Sequence, residues 1–334
     1  MARWHRTLRR PVEFAGVGLH SGRPVRIRVS PAPLQAPPQD ATTRVNGITF
    51  RLPLAPERPP IAVSVDAIDP SKSMLCTQLY AADRSWGVST VEHLMAALTA
   101  ARITRVSVDI LESNSDGIFE MPILDGSALQ FVQGVHEAGV EEVENGETLS
   151  YVRVTRPVEV LMKDKAAWLL PVPPAIPGTM APTLHASVQV NFPHKGLGSS
   201  FFQFSLSSDP DANLLAFKER VAPARTFTFE DEIAWMQANN LALGGSLSNA
   251  IVFKSNQDES TSPHTSTPEV LNPDGLLFPD EWVRHKMLDC IGDLGLVGLP
   301  LHGHFFSTSP GHALTHTLIC ELFSDSANYE IITQ

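Results

Sequence analysis

Asp280 to Gly295 reads DEWVRHKMLDCIGDLG, and two chemically different surfaces share that one stretch. Wound at about 100° per residue, it places Val283, Met287, Cys290, Ile291 and Leu294 on one apolar stripe, the spacing of a helix that faces a core. On the opposite side His285, Asp289 and Asp293 follow at i, i+4 and i+8 with Lys286 flanking them, so an imidazole and a carboxylate one turn apart can converge on one point. A neutral imidazole and a carboxylate are ordinary zinc ligands, and a catalytic zinc site takes three protein ligands and keeps a position for water. Two such ligands lie on this helix, so a third has to come from elsewhere. The competing reading is a solvated helix face with an unengaged histidine.

An internal repeat bears on that choice. Ser89 to Leu98, STVEHLMAAL, carries Val91, Leu94, Met95 and Leu98 at helical spacing, with Ser89 as its N-cap. Glu92 then stands third in a capping box, a role that would account for its carboxylate without any chemistry. The first half runs helix Thr90 to Ala101, strand Arg105 to Leu111, then Gly126-Ser127-Ala128-Leu129 opening a helix that ends near Gly139. The second half runs helix Asp280 to Leu294, strand Leu301 to Ser307, then Gly311-His312-Ala313-Leu314 opening another. Two copies of one unit put His93 and His285 on comparable helices, and pairing the copies brings both to one site with Asp289. His302 and His304, on one face of a strand, stand as the competing zinc pair.

The remaining chain is consistent with a soluble globular protein. With 334 residues, 43% hydrophobic and 18% charged, it can bury two cores. A net charge of −11 with no basic block beyond ARWHRTLRR argues against nucleic acid as a main partner. Cys76, Cys290 and Cys320 are odd in number and far apart, which argues against a disulfide framework and a thiolate metal site. No apolar run approaches a membrane span, so the expectation is a soluble intracellular protein. Val12, Phe14 and Val17, the Gly16 to Gly22 turn, and alternating Val25, Ile27 and Val29 read as an early hairpin. The Pro-rich stretch to Pro60 reads as loops around short strands. Glu141 to Glu147 reads as an acidic linker, Tyr151 to Leu161, Ser187 to Phe192 and Phe201 to Leu206 as strands, Trp235 to Leu243 as helical, and Ser255 to Pro273 as a flexible insertion.

The segments RTLRRPVEFAGVGLHSG, SMLCTQL, STVEHLMAAL, EMPILDGSA, ARTFTF, LALGGSLSNAIV, VRHKMLDCIGDL and SPGHAL occur in an order that resembles one family over nearly the whole chain. That family is the zinc-dependent UDP-3-O-acyl-N-acetylglucosamine deacetylases of lipid A biosynthesis. The resemblance implies an α+β fold of two similar two-layer α/β sandwich domains of the ribosomal protein S5 domain 2-like kind. Their sheets would be mainly antiparallel, with helices packed between the domains. Expected bounds are 1–146, carrying Glu92 and His93, and 147–334, carrying His285, Asp289 and His312, with an acyl-binding insert near 185–206.

Carried over residue by residue, the resemblance implies zinc on His93, His285 and Asp289, with Glu92 as general base. His312 would be an acid or oxyanion partner oriented by Asp293, Thr226 an oxyanion hydroxyl, Phe227 and Leu75 substrate contacts, and Lys286 a positive charge near the substrate. The implied partner is a UDP-acyl-amino-sugar, handled by a monomer. Ser248 replaces the acidic residue usual after Gly-Gly-Ser-Leu. The segment Glu112 to Glu120 and the Ser/Thr/Pro insertion look closer to the plant and algal branch, which gives a mitochondrial matrix location as the alternative to the cytoplasm. A catalytically silent ligand-binding protein on the same fold, or a zinc amidohydrolase of another acylated sugar, are the competing functions; a silent scaffold has no use for both Glu92 and His312.

Overall fold

Strict alternation builds the first sheet. In strand Pro24–Pro31 the side chains of Val25, Ile27 and Val29 are buried while Arg26 and Arg28 face solvent, so one face has to be covered. The computed structural model describes residues 4–32, 47–73, 75–112, 117–173, 183–192, 197–255 and 268–333. Strand Val12–Val17 pairs with Pro24–Pro31 as the expected antiparallel hairpin, and Arg105–Glu112, Gly47–Arg51 and Ile61–Ala62 complete a five-stranded sheet. A seven-stranded sheet is centred on Leu301–Thr308. That strand runs antiparallel to Lys165–Leu170, parallel to Leu184–Phe192, and meets Ser150–Val154 through Val152 and Leu301.

Among the described residues the α-helices are α1 (Glu92–Ala100), α2 (Leu129–Ala138), α3 (Pro210–Arg220), α4 (Glu230–Ala238), α5 (Glu281–Leu294) and α6 (His312–Ser324). With sheets that are mostly antiparallel, the architecture is mixed α+β. Helices α1 and α5 pack directly on each other, and both are buried almost all round. Their approach is set by glycine: a Cβ on Gly292 would run into the carbonyl oxygen of Glu92, and one on Gly295 into the Thr99 hydroxyl. The face of α5 that carries His285, Asp289 and Asp293 is therefore buried against the rest of the protein, not solvated.

Several sequence expectations are corrected by the structure. Ser89 is not a helix cap: it ends strand Gly87–Ser89, and Thr90, at φ 58°, turns the chain sharply into α1. Glu92 is consequently the first residue of the helix and makes no capping box. The acidic run lies in strand Val140–Thr148, paired with Trp4–Leu8, and is not a linker. Glu141 and Glu142, on alternate faces of that two-stranded ribbon, are both exposed. Tyr151 to Leu161 is two strands, because Pro157 has no N–H to give and that of Thr155 is bonded to Asn328. Helix α4 starts earlier than Trp235 and stops at Ala238, after which Asn240 and Ala242 adopt left-handed φ.

Of the Ser255 to Pro273 stretch, residues 256–267 lie outside the described part. Its far end is anchored: the Asn272 amide is buried and bonds the backbone of Leu247, Ala250 and Val252. Residues 113–116, the other segment behind the plant and algal likeness, also lie outside it. No helix among the described residues is long and apolar enough to cross a membrane.

Candidate active site

A small three-stranded sheet supports one side of the site. Strands Gln78–Tyr80, Gly87–Ser89 and Ile118–Glu120 pair around Ser89, which faces Gln78 on one side and Glu120 on the other. The Thr90 N–H bonds the Thr77 carbonyl oxygen at 2.9 Å, so Thr77 sits directly under the start of α1. From there the Thr77 N–H reaches Glu92 Oε2 at 3.1 Å. The Glu120 carboxylate accepts from the His20 and Ser21 N–H groups at 2.7 and 2.8 Å, fixing the Gly18 to Gly22 turn over the site. Gly18 has to be glycine, since a Cβ there would meet the Glu120 carboxylate and Ser21 Oγ. That turn is in turn bonded to Leu243 and Gly244 beyond α4.

His93 from α1 and His285 and Asp289 from α5 bring one ligand atom each to within 4.8 Å of one another. Asp289 Oδ1 lies 3.3 Å from His285 Nε2 and 3.8 Å from His93 Nε2. His285 Nδ1 donates to the Ala224 carbonyl at 3.0 Å, which leaves the Nε2 lone pair pointing at the cluster. Burial lowers the pKa of His285 and brings His93 down to about 3, so both imidazoles are neutral. Burial works against ionised Asp289 too, but neighbouring positive charge, with the Lys286 ammonium in direct contact, outweighs it and holds the carboxyl well below its usual range. Two neutral imidazoles and a carboxylate, each offering one ligand atom to a common point, are a donor set that fits a borderline divalent metal. The Lys286 ammonium is 3.0 Å from Asp289 Oδ2 and 5.6 Å from the Phe227 ring centre.

Beside this cluster, Glu92 Oε1 faces His312 Nε2 at 3.7 Å. Burial pushes the Glu92 carboxyl up to about 8, with His312 pulling the other way. His312 is the first residue of α6, and its Nδ1 lies 2.9 Å from Asp293 Oδ2. Burial disfavours the imidazolium, but Asp293 and Glu92 outweigh it and raise the His312 pKa to about 9. Asp293 is also buried, yet His312 and His316 keep it ionised.

The two groups open onto a cavity of about 330 Å³ whose lining includes Glu92, His93, His285, Lys286, Asp289 and His312. Thr226 and Phe227 line it as expected, and Leu75, 45% exposed, sits on its lining. The apolar wall is built by Ile233, Met236, Leu247, Ala250 and Val252, from α4 and the segments after it. Among the described residues of 185–206 none lines the cavity, and Phe192 backs its wall by edge contacts with Phe227 and Phe229. Ser248 bonds Ser246 at 2.7 Å and does not line the cavity.

His302 and His304 stay in the sheet, bonded to the Thr183 N–H and Ser187 Oγ at 3.0 and 2.9 Å, and neither joins the cluster of His93, His285 and Asp289. His20, Thr77, Glu120 and His316 were not singled out by sequence reasoning. Only an unexplained cluster of polar residues within otherwise apolar helical spacing, as at His316 on α6, could have flagged one of them.

The family model for LpxC, UDP-3-O-acyl N-acetylglycosamine deacetylase, matches residues 5–324. A UDP-3-O-acyl-N-acetylglucosamine deacetylase of Anaeromyxobacter dehalogenans (strain 2CP-C) is 39% identical over 334 aligned residues, covering 99% of this chain and 92% of the relative. Proteins of the same name from Citrifermentans bemidjiense and Acinetobacter baumannii (strain SDF) are 37% and 33% identical, each over 98% of this chain and 92% and 94% of the relative. Likeness of this extent, over a chain whose buried histidines and carboxylates gather at one cavity, makes the protein an enzyme belonging to the UDP-3-O-acyl-N-acetylglucosamine deacetylase family.

Proposed function

We propose that this enzyme hydrolyses the N-acetyl group of UDP-3-O-(3-hydroxyacyl)-N-acetylglucosamine, releasing acetate in lipid A biosynthesis, and that it does so with zinc on His93, His285 and Asp289. The observation that carries the reading is the adjacency of two arrangements: a three-donor cluster offering one ligand atom each to a common point, and a carboxylate opposed to an imidazole at 3.7 Å beside it. Bound there, zinc polarises a carbonyl and lowers the pKa of water toward ~7.

The chain's own groups handle the protons. Glu92 Oε2 is occupied by the Thr77 N–H, so Oε1 is the atom that takes a proton from water. His312, with Nδ1–H on Asp293, presents Nε2 to the cavity and gives its proton to the leaving amine. The backbone N–H and C=O of Thr226 are bonded to Gly126 and Ile251, which leaves its hydroxyl for the developing oxyanion. The Phe227 ring supports the sugar, with Lys286 and Leu75 at the substrate's edge. The apolar wall from Ile233 to Val252 receives the acyl chain.

The same reading takes the chain as a monomer of two similar S5 domain 2-like units meeting at α1 and α5, and places it in the cytoplasm. The decisive experiment combines metal analysis of the purified protein with acetate release from the UDP-linked substrate. About one zinc per chain, with activity removed by a chelator and restored by zinc, is the expected result. A metal-free protein with full activity would overturn it.

A further inference from the structure

The proton-transfer pair leaves two buried side chains unaccounted for. Thr77 and His316 are both 0% exposed, and both reach the same oxygen of Asp293. Thr77 Oγ1 lies 2.5 Å from Asp293 Oδ1, and His316 Nε2 lies 3.3 Å from the same oxygen. Thr77 Oγ1 is also 3.2 Å from both His316 Nε2 and His312 Nδ1. Asp293 Oδ1 is thus taken up by Thr77 and His316, while Oδ2 is the nearer oxygen to His312 Nδ1, at 2.9 Å against 3.2 Å.

We infer that Thr77 and His316 are positioning residues for the reaction proposed above: together they pin the Asp293 carboxylate so that its other oxygen holds the His312 ring in the orientation that points Nε2 at Glu92. Thr77 does this twice over, because its N–H restrains Glu92 Oε2 while its hydroxyl restrains Asp293. One residue therefore sets the spacing between proton acceptor and proton donor from two atoms of its own. A carboxylate with a single donor would be free to rotate about its terminal bond, and with it the imidazole it orients. His316 is one turn behind His312 on α6, so both histidines approach Asp293 from one rigid element. With Nε2–H directed at Asp293, the His316 Nδ1 is the lone-pair atom, and it has no hydrogen-bond partner among the described residues. That asymmetry fits a residue kept for its one donor, not for the capacity of imidazole to carry protons both ways.

The inference rests on the functional reading, and its test separates the two. In the zinc-loaded full-length protein, Thr77→Val removes the hydroxyl at nearly constant shape and keeps the N–H that holds Glu92, while Thr77→Ser keeps both. His316→Gln retains a donor near the Nε2 position, whereas His316→Leu retains only bulk. Acetate release should show kcat lowered ~10-fold or more in Thr77→Val and His316→Leu, the scale of one lost hydrogen bond to a buried charge, with KM and zinc content unchanged. Thr77→Ser and His316→Gln should recover most of kcat. The nitrogen-15 histidine spectrum should show the hydrogen-bonded Nδ1 proton of His312 in wild type, Thr77→Ser and His316→Gln, and a shifted or lost signal in the other two. Wild-type kcat together with an unmoved His312 signal in Thr77→Val and His316→Leu would overturn the inference, as would His316→Gln failing as badly as His316→Leu. A wild-type protein that releases no acetate would sink the functional reading instead, and the His312 signal would still decide the network.

Discussion

Helix α5 contributes to two His/Asp trios, one turn apart and built from the same residue types, that obey opposite rules. His93, His285 and Asp289 bring one ligand atom each toward a common point, and the hydrogen bond that orients His285 lies outside the cluster, on Ala224. Asp293, His312 and His316 are equally close together, but there the carboxylate sits between donors and the hydrogen bonds lie inside the trio. The first arrangement leaves room for a cation among its donor atoms; the second already has its carboxylate satisfied from within. Residue type and proximity do not separate a metal centre from a proton relay. Where the N–H groups point does.

The sharpest way to break this contrast is to remove one carboxylate from each trio. Asp289→Ala or His285→Ala should lose bound metal and essentially all activity, since two ligands make too poor a first shell. Asp293→Ala should keep its metal. Metal analysis of the purified variants decides, and full occupancy in Asp289→Ala would end the assignment. Next in size, Glu92→Gln and His312→Ala should each retain metal and fold while kcat falls ~10²-fold or more, the usual contribution of a positioned proton-transfer group. A Glu92→Gln enzyme of normal rate would return that carboxylate to a structural role.

A smaller effect is expected from Asp293→Asn, read through pH. Glu92 acts as the anion, so activity rises as it deprotonates, near 8 by the effect of burial. His312 acts as the cation, so activity falls as it loses its proton, near 9. The two limbs make a bell whose apparent values belong to the pair. Asparagine removes the anion that raises the His312 pKa, so the alkaline limb should move to lower pH; an unmoved limb would assign it to another group. Smallest of all, His302→Ala and His304→Ala should leave metal content and kcat unchanged and cost only about 0.5–1.5 kcal/mol in denaturant melts, the worth of an ordinary hydrogen bond. Loss of metal in either would reopen the competing pair.

Legibility in the sequence followed the range of the interaction. His285 and Asp289 could be read because one helical turn joins them, and His93 because the chain repeats its helix-strand-helix unit. The hairpin of Val12 and Val25 was visible in plain alternation. Thr77 was invisible because its partner Asp293 is 216 residues away and nothing local marks a threonine for that task. Glu92 looked like a capping box because the pattern Ser-x-x-Glu carries no trace of the left-handed turn at Thr90 that removes Ser89 from the helix. The acidic strand looked like a linker because its pairing with the first strand of the chain depends on backbone groups that side chains do not announce.

The glycine at 292 has a consequence for the spacing of His93 and His285. His93 and His285 belong to different helices, so the gap between their ring nitrogens depends on how closely the helix axes approach. At Gly292 that approach leaves no room for a side chain, since a Cβ there would run into the Glu92 carbonyl. The close approach acts as a gauge block: it sets the spacing of the two histidine-bearing helices in hardware, and any substitution at 292 larger than glycine can only widen the jaws.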